Sequence, residues 1–422
     1  MVQTENTQKL PLTIVLMKPI HNITLTVLTR FIQMFAGFSV AVLTARFLGP
    51  TLRGEYFLYM NFVAIAIQFG DLGFSISTMY QSAKHPDSKQ SLVPLFTIIA
   101  GVIGILAWVA LILASKEVFH LLDIKLNYAF LVGIGIPFGL YALFASNWLI
   151  GAGKIHVYNG VESIKQLFLV SSLCFFGLQY ASLDLFLCLS IASSILSALI
   201  LSRWTLKCGF VFKFDRALFG SQFHYAAKSW IISCLFFGMS RFIVLWMDAY
   251  TTKEALGIWS IALQIGDAIS IIPCAIGQVM FADTVAADDP WKVAKGYIRQ
   301  TAWIMTLACL GAAVVGFPLI RLAFGKPYEG AYFQLLFLLP GIWLRGILSP
   351  LGQYIGAIGQ PLYVVPVWGG GLLVSMTLGW FFIRQWQGIG AMISISIAYV
   401  FVSACLWILA TRNRKQLIGV KV

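Results

Sequence analysis

The stretch LIGAGKIHVYN, Leu149 to Asn159, holds the tetrapeptide GAGK. Read as the tail of a phosphate loop, it makes the chain a nucleotide-driven machine. Read as a turn, it points to another fold. A loop of the GxxxxGK[ST] kind follows a strand, turns on its first Gly, wraps backbone N–H groups around the phosphates and offers Mg²⁺ a hydroxyl. Here Trp148 stands at the first Gly position and Ile155 replaces the hydroxyl residue. The preceding segment is an apolar run of roughly 20 residues, the length that crosses hydrocarbon as a helix. GAGK is a turn between two such runs.

The turn also recurs. IGAGK after the fourth apolar run resembles IGAIGQ after the tenth, with Gly151 and Gly356 separated by 205 positions and Gln360 replacing Lys154. RGEYFLY resembles LGIWSIA, pairing Gly54 with Gly257 and Tyr56 with Trp259, each 203 apart. HPDSK resembles DPWKV, pairing Pro86 with Pro290 and Lys89 with Lys292, 204 and 203 apart. A nearly constant offset at three separated places marks an internal duplication. Six helices per copy is an even number, so the halves share one orientation about an axis along the membrane normal.

Composition agrees. The 422 residues are 59% hydrophobic and 11% charged, with mean hydropathy +0.85. Soluble domains carry about 25% charged residues, so the expected class is an all-α integral membrane protein. A membrane β-barrel is excluded because the apolar runs are continuous, not alternating segments of about ten residues. Twelve spans are expected, at 22–47, 56–79, 93–115, 128–150, 161–180, 183–202, 228–250, 254–280, 300–322, 331–354, 362–383 and 389–411. The fifth and sixth, and the eleventh and twelfth, are expected to form helical hairpins. The expected organisation is an N-terminal lobe (1–202), a cytoplasmic basic linker (203–227) and a C-terminal lobe (228–422).

With the N-terminus inside, the short loops place sixteen Lys and Arg on the cytoplasmic side and six outside, Arg53 and Lys253 among the six. Lys/Arg bias sets topology, so both termini are expected in the cytoplasm. The formal charge of +13 is largely this asymmetry and requires no nucleic acid. The seven Cys form no CxxC pair, and the five His lack ligand spacing. No metal site and no resident cofactor are expected. The first twenty residues lack a charged segment followed by a sustained apolar core, so no cleaved signal peptide is expected.

Ionisable residues within the spans are the candidates for chemistry, since each costs about 2.5–3.5 kcal/mol at mid-depth on insertion scales. They are Arg30, Asp71, Arg241, Asp248, Asp267 and Arg345. Arg241 lies near the middle of its span, with Asp267 at similar depth in the next. Two readings stand side by side, a structural Arg241–Asp267 pair and an arginine that grips an anion. Arg345 lies between Pro340 and Pro350 in a helix expected to kink. Arg30 can snorkel towards the cytoplasmic surface. Asp71, flanked by Gly70 and Gly73, can pair with Arg30 or take up a proton. Asp267, Asp71 and Asp248 are the cavity or coupling acids, and H⁺ or Na⁺ coupling stays open. Glu162 and Lys165 read as an interfacial i,i+3 pair. ADDPWKVAKGYIRQ (287–300) reads as a short interfacial helix capped by Asp289. Arg-biased charge suits phosphate groups, which guanidinium binds bidentately.

The segment from Ala45 to Lys84, with RFLGP, GEY and GDLG, resembles the polysaccharide biosynthesis, or Wzx-type O-antigen flippase, family. That family sits in the MOP transporter superfamily with MATE exporters and MurJ-type lipid II flippases. The resemblance implies two six-helix lobes around a V-shaped central cavity working by alternating access in a bacterial inner (plasma) membrane. The implied cargo is an undecaprenyl-pyrophosphate-linked oligosaccharide repeat unit, carried from the cytoplasmic to the outer leaflet for surface polysaccharide assembly. Implied partners are that lipid-linked oligosaccharide, membrane lipids, a polysaccharide polymerase and a chain-length regulator. Arg241, Arg345 and Arg30 would bind the pyrophosphate or sugar.

Two alternatives remain. A MATE-like H⁺- or Na⁺-coupled multidrug exporter needs deep acids, and the first span carries only Arg30. A membrane polysaccharide polymerase or ligase would place catalytic groups on a sizeable outer loop. The longest expected outer loop is KEVFHLLDIKLN, with no paired carboxylates or nucleophile–base set, so no enzyme is expected.

Overall fold

The computed structural model describes residues 12–84, 89–207, 216–287, 289–357 and 363–412, and among them there is no strand. The first half of the chain forms α1 (Leu12–Gly70), α2 (Phe74–Lys84), α3 (Lys89–Leu113), α4 (Leu126–Gly133), α5 (Gly135–Gly151), α6 (Ile155–Gly177) and α7 (Leu183–Leu206). The second half forms α8 (Arg216–Arg241), α9 (Ile243–Tyr250), α10 (Lys253–Ile269), α11 (Ile271–Ala286), α12 (Pro290–Ala323), α13 (Gly330–Ala357) and α14 (Val364–Arg412).

Nine helical stretches among the described residues are long and apolar enough to cross a membrane. The difference from twelve has a physical basis. A straight helix of 59 residues would run about 90 Å, and α1 instead breaks at Gly49, in the left-handed region at φ 70, before Pro50 restarts it. Within α14, Gln387 takes φ 48. A Cβ on Gly390 would lie 2.3 Å from the Phe382 carbonyl oxygen, so the chain folds back there as the expected hairpin. Each of these stretches covers two expected spans. The fifth expected span is α6, 23 residues that include the Glu162–Lys165 pair at 3.6 Å and fall outside the nine.

Several spans are broken helices. Pro137 and Pro273 cannot donate to residues 133 and 269, and their rings crowd those carbonyls. Accordingly α4 stops at Gly133 and α10 at Ile269. The second span breaks over Asp71, Leu72 and Gly73, the last two at φ 45 and 77.

Within the segment 203–227, α7 runs to Leu206 and α8 starts at Arg216, with 208–215 outside the described residues. One expectation is corrected. The surface helix beginning at Pro290 is not separate but continues into α12 for 34 residues. Its local chemistry is as read: Asp289 caps it by accepting from the Lys292 N–H at 3.1 Å. Trp291, Ala294 and Ile298 are buried, while Lys292, Lys295 and Arg299 are exposed. Farther along α12, Trp303, Leu307, Leu310 and Val314 form an exposed apolar stripe at helical spacing, the face a helix turns to lipid.

Packing falls into two groups. In the first half, α5 is packed by α2, α3 and α7, and α6 lies against α1 and α7; in the second, α13 is packed by α10, α11, α12 and α14, and α8 lies on α14. The groups meet mainly through α1 against α10, and α2 against α8. A tight approach lies between the duplicated glycines. A Cβ on Gly54 would lie 1.8 Å from the Lys253 carbonyl oxygen, and one on Gly257 2.0 Å from that of Pro50. Each would also stand 3.0–3.1 Å from the other glycine's nitrogen. Equivalent residues of the two copies thus touch each other, which places the axis between Gly54 and Gly257. Around this seam Arg46 donates to the Ala323 carbonyl at 2.8 Å and to that of Leu322, and Tyr328 donates to the Ala45 carbonyl at 3.0 Å.

Candidate functional site

Two helix breaks and one proline-containing helix bring one charged cluster together. Arg241 is the last residue of α8, where a cation is favoured by the unsatisfied carbonyls of a helix C-terminus. The backbone there is held across the halves: Asn61 Nδ2 donates to the Arg241 carbonyl at 3.3 Å. Asp267 lies in the last turn of α10, next to the break that Pro273 imposes. Arg345 lies on α13 midway between Pro340 and Pro350, the two positions where that helix loses a backbone donor.

One carboxylate joins both guanidinium groups. Arg241 Nη2 donates to Asp267 Oδ2 at 2.8 Å, and Arg345 Nη1 donates to Asp267 Oδ1 at 2.6 Å. The arginines also stand over Phe237 and Phe236, 5.8 and 5.4 Å from the ring centroids. Such cation–ring contacts strengthen as water is excluded. Two cations share one anion, so the cluster carries a net charge of +1. Its side chains keep 18–28% exposure, so an incoming group can reach them. Arg345 Nε is buried without a partner, a donor left over after the ion pair is made.

The other candidates lie elsewhere. The Arg30 side chain is outside the described residues. Asp71 is buried and faces its own chain: Oδ1 accepts from the Ser75 N–H and Oδ2 from the Ser75 hydroxyl, both at 2.9 Å. It caps the start of α2 at the break in the second span. Asp248 sits near the end of α9 rather than at depth, ion-paired with Lys253. Lys253 also reaches Asp123 of the α3–α4 connection at 2.7 Å, and Lys116 reaches Asp123 at 3.1 Å. The Asp123 carboxyl is held below its ordinary range chiefly by the Lys253 ammonium, with Lys116 adding to it. This network ties the two halves together at the Gly54–Gly257 end.

Arg53 was missed. Counted among the loop charges, it is only 1% exposed. It reaches across the seam from α1 to α10, donating to Gln264 Oε1 at 2.7 Å and more weakly to Ser260 Oγ at 3.4 Å. Its Nη1 is buried without a partner. The available signal was the duplication: at the same offset the second copy has Leu256, an apolar residue. Among the described residues, no group of three or more His, Cys, Asp or Glu is placed to hold a metal ion.

The architecture is shared with known membrane transporters. An inward-facing multidrug resistance MATE family transporter of the MOP superfamily superposes with TM-score 0.74 at 12% identity, covering 92% of this chain and 96% of its own. Lipid II flippase MurJ in an inward closed conformation gives 0.71 at 14% identity, covering 94% and 90%. The Vibrio cholerae MATE transporter VcmN in its bent form gives 0.64 at 13%, covering 94% and 98%. No curated protein matches the sequence. These likenesses, with the long apolar helices, give a multi-pass membrane protein of the fold seen in that superfamily. The family model described as polysaccharide biosynthesis protein matches residues 20–281. Matched over more than half its length, the chain belongs to the polysaccharide biosynthesis protein family.

Proposed function

We propose that the protein is a flippase that carries an undecaprenyl-pyrophosphate-linked oligosaccharide from the cytoplasmic to the outer leaflet of a bacterial inner membrane. It would work by alternating access between an N-terminal lobe (1–202) and a C-terminal lobe (228–422). The observation that carries this reading is the Arg241–Asp267–Arg345 cluster, a mid-span, partly open site with net positive charge. An anionic headgroup can replace the carboxylate on either guanidinium, and the leftover Arg345 Nε donor adds to that capacity. The family membership supports polysaccharide assembly as the setting. An exporter of cations is less well served. Asp267 is occupied by two guanidiniums and Asp71 by Ser75, so neither acid presents a free carboxylate to a cation.

The test is transport in proteoliposomes loaded with undecaprenyl-pyrophosphate oligosaccharide. Charge-assisted hydrogen bonds contribute about 1.5–3 kcal/mol each, so Arg345→Ala should weaken headgroup binding roughly ten- to a hundredfold, with a matching loss of flipping. Arg345→Lys keeps the charge but not the fork, and should fall in between. Undiminished flipping by normally inserted Arg241→Ala and Arg345→Ala proteins would sink the reading.

A further inference from the structure

A second polar site lies at the Gly54–Gly257 end of the contact between the halves. A cavity of about 620 Å³ opens between the halves, lined by the α3–α4 connection, α9, and single residues of α1 and α14. This is within the range of about 300–1,000 Å³ typical of small-molecule sites. Its polar lining comprises Lys116, His120, Asp123 and Asp248, and its apolar lining includes Trp246 and Met376.

The charges here differ from those of the arginine cluster. Lys253 bridges Asp123 and Asp248 at the cavity edge, and Lys116 pairs with Asp123. Two ammonium groups meet two carboxylates, a net of zero. Such a site gives no preference to an anion or a cation, yet it offers both donors and acceptors. Trp246 adds a large flat apolar surface, supported behind by Tyr250, whose ring stacks on it at 5.8 Å and 24°. The Trp246 indole N–H is buried and has no acceptor.

A neutral, polyhydroxylated ring fits this combination. A pyranose lays its C–H face on an indole, while hydroxyls at its rim both donate to carboxylates and accept from ammonium or indole N–H groups. The location fits as well. Trp246 and Asp248 follow Arg241 by five and seven residues on α8–α9, about 8–10 Å at 1.5 Å per residue. A headgroup held by the arginines would therefore extend its sugars towards this cavity.

We infer that the cavity lined by Trp246, His120 and the Lys116–Asp123–Asp248 network is a carbohydrate subsite, separate from the anion site, that binds the uncharged sugars of the cargo. The inference rests on the proposed function for its cargo, but the sugar site can be measured by itself. The experiment uses the full chain in nanodiscs and three probes. These are bare undecaprenyl pyrophosphate, the undecaprenyl-pyrophosphate oligosaccharide pool extracted from the source bacterium's membranes, and the oligosaccharides released from that pool.

The wild-type protein should bind the glycosylated lipid at least tenfold more tightly than the bare one. Trp246→Ala removes the platform, and Ala249→Trp fills the cavity from an exposed lining position. Both should reduce the preference to near unity while leaving bare-lipid binding unchanged. Should Trp246→Ala also lose the bare lipid through misfolding, Ala249→Trp decides. No preference in the wild type, or an unchanged preference in the folded variants, overturns the sugar subsite. If the released oligosaccharides bind and the variants abolish this, while neither lipid binds, the subsite stands and the flippase reading falls. If none of the three probes binds, both fall.

Discussion

Asp267→Asn separates a structural ion pair from a working one. In the folded protein the carboxylate satisfies both guanidiniums, at 2.8 and 2.6 Å. The amide that replaces it keeps one acceptor oxygen and no charge, so the cluster rises from +1 to +2. If Asp267 competes with the cargo for the arginines, an incoming pyrophosphate no longer has to displace it. One charge-assisted bond's worth, about 1.5–3 kcal/mol, is then returned to binding. That is a roughly ten- to hundredfold tighter affinity. The same gain hinders release, so turnover should fall as affinity rises. The assay is equilibrium binding of bare undecaprenyl pyrophosphate in nanodiscs, with flipping measured on the same preparation. A purely structural carboxylate predicts the opposite. Removing one partner of a buried pair typically costs about 3–5 kcal/mol, seen as a fall in thermal stability with weakened or lost binding. Unchanged or weaker binding by a folded Asp267→Asn protein refutes the competition argument.

Four further outcomes follow from the seam. Gly54→Ala drives a Cβ to 1.8 Å from a backbone carbonyl that cannot swing aside; overpacking of this kind costs about 1–3 kcal/mol. The halves should part at that end, read as a longer spin-label distance between the exposed Leu121 and Phe381, and an unchanged distance counts against the seam. Asp123→Asn should lengthen that distance in a minor population only, since exposed ion pairs contribute about 0–1 kcal/mol. Because Lys253 and then Lys116 lower the Asp123 carboxyl in the folded protein, the pair's contribution is complete above the ordinary carboxylate value of about 4. It fades only as pH falls through the lowered value, so wild-type distances should match between pH 7 and pH 5. Arg53→Met removes a buried guanidinium that has no carboxylate partner, and such removals are often neutral or stabilising. Its melting temperature should hold or rise, and a fall of several degrees contradicts that view of Arg53.

Much of this was legible in the residues. Apolar length located the spans, and equal depth placed Arg241 opposite Asp267. What depth does not encode is which way a side chain faces around its helix. Arg345 could therefore be assigned a kinked helix but not a shared carboxylate. The helix breaks were largely invisible, because one acid between two glycines does not by itself end a helix at Asp71–Gly73, and hydropathy runs unbroken through Phe242. Asp71 consequently read as a mid-helix acid, although Ser75 stands where the start of a new helix needs capping. Arg53 was misread for a related reason: beside Gly and Pro it resembles a loop charge, and only the packing of α1 on α10 buries it. The duplicated glycines were recognised as copies from their spacing. That they touch depends on three-dimensional symmetry, which no single stretch of sequence states.

All three members of the arginine–aspartate cluster come from the second half of the chain. At the offset of 203 the first copy holds Phe38, Ala64 and Ala142 in their places, none of them charged. A rigid-body rocking of the two halves would thus leave the cluster whole. Its counter-ion travels with it, and the bilayer interior is never shown a bare guanidinium. Among the described residues, apart from the Asn61 amide on the Arg241 carbonyl and the Cys234 thiol on the Gln68 carbonyl, the polar ties that must part, at Arg46, Arg53, Asp123 and Tyr328, gather around the glycine seam. Such rocking would be electrically quiet where water is scarce, and most of the polar bonds it breaks lie at one end of the molecule.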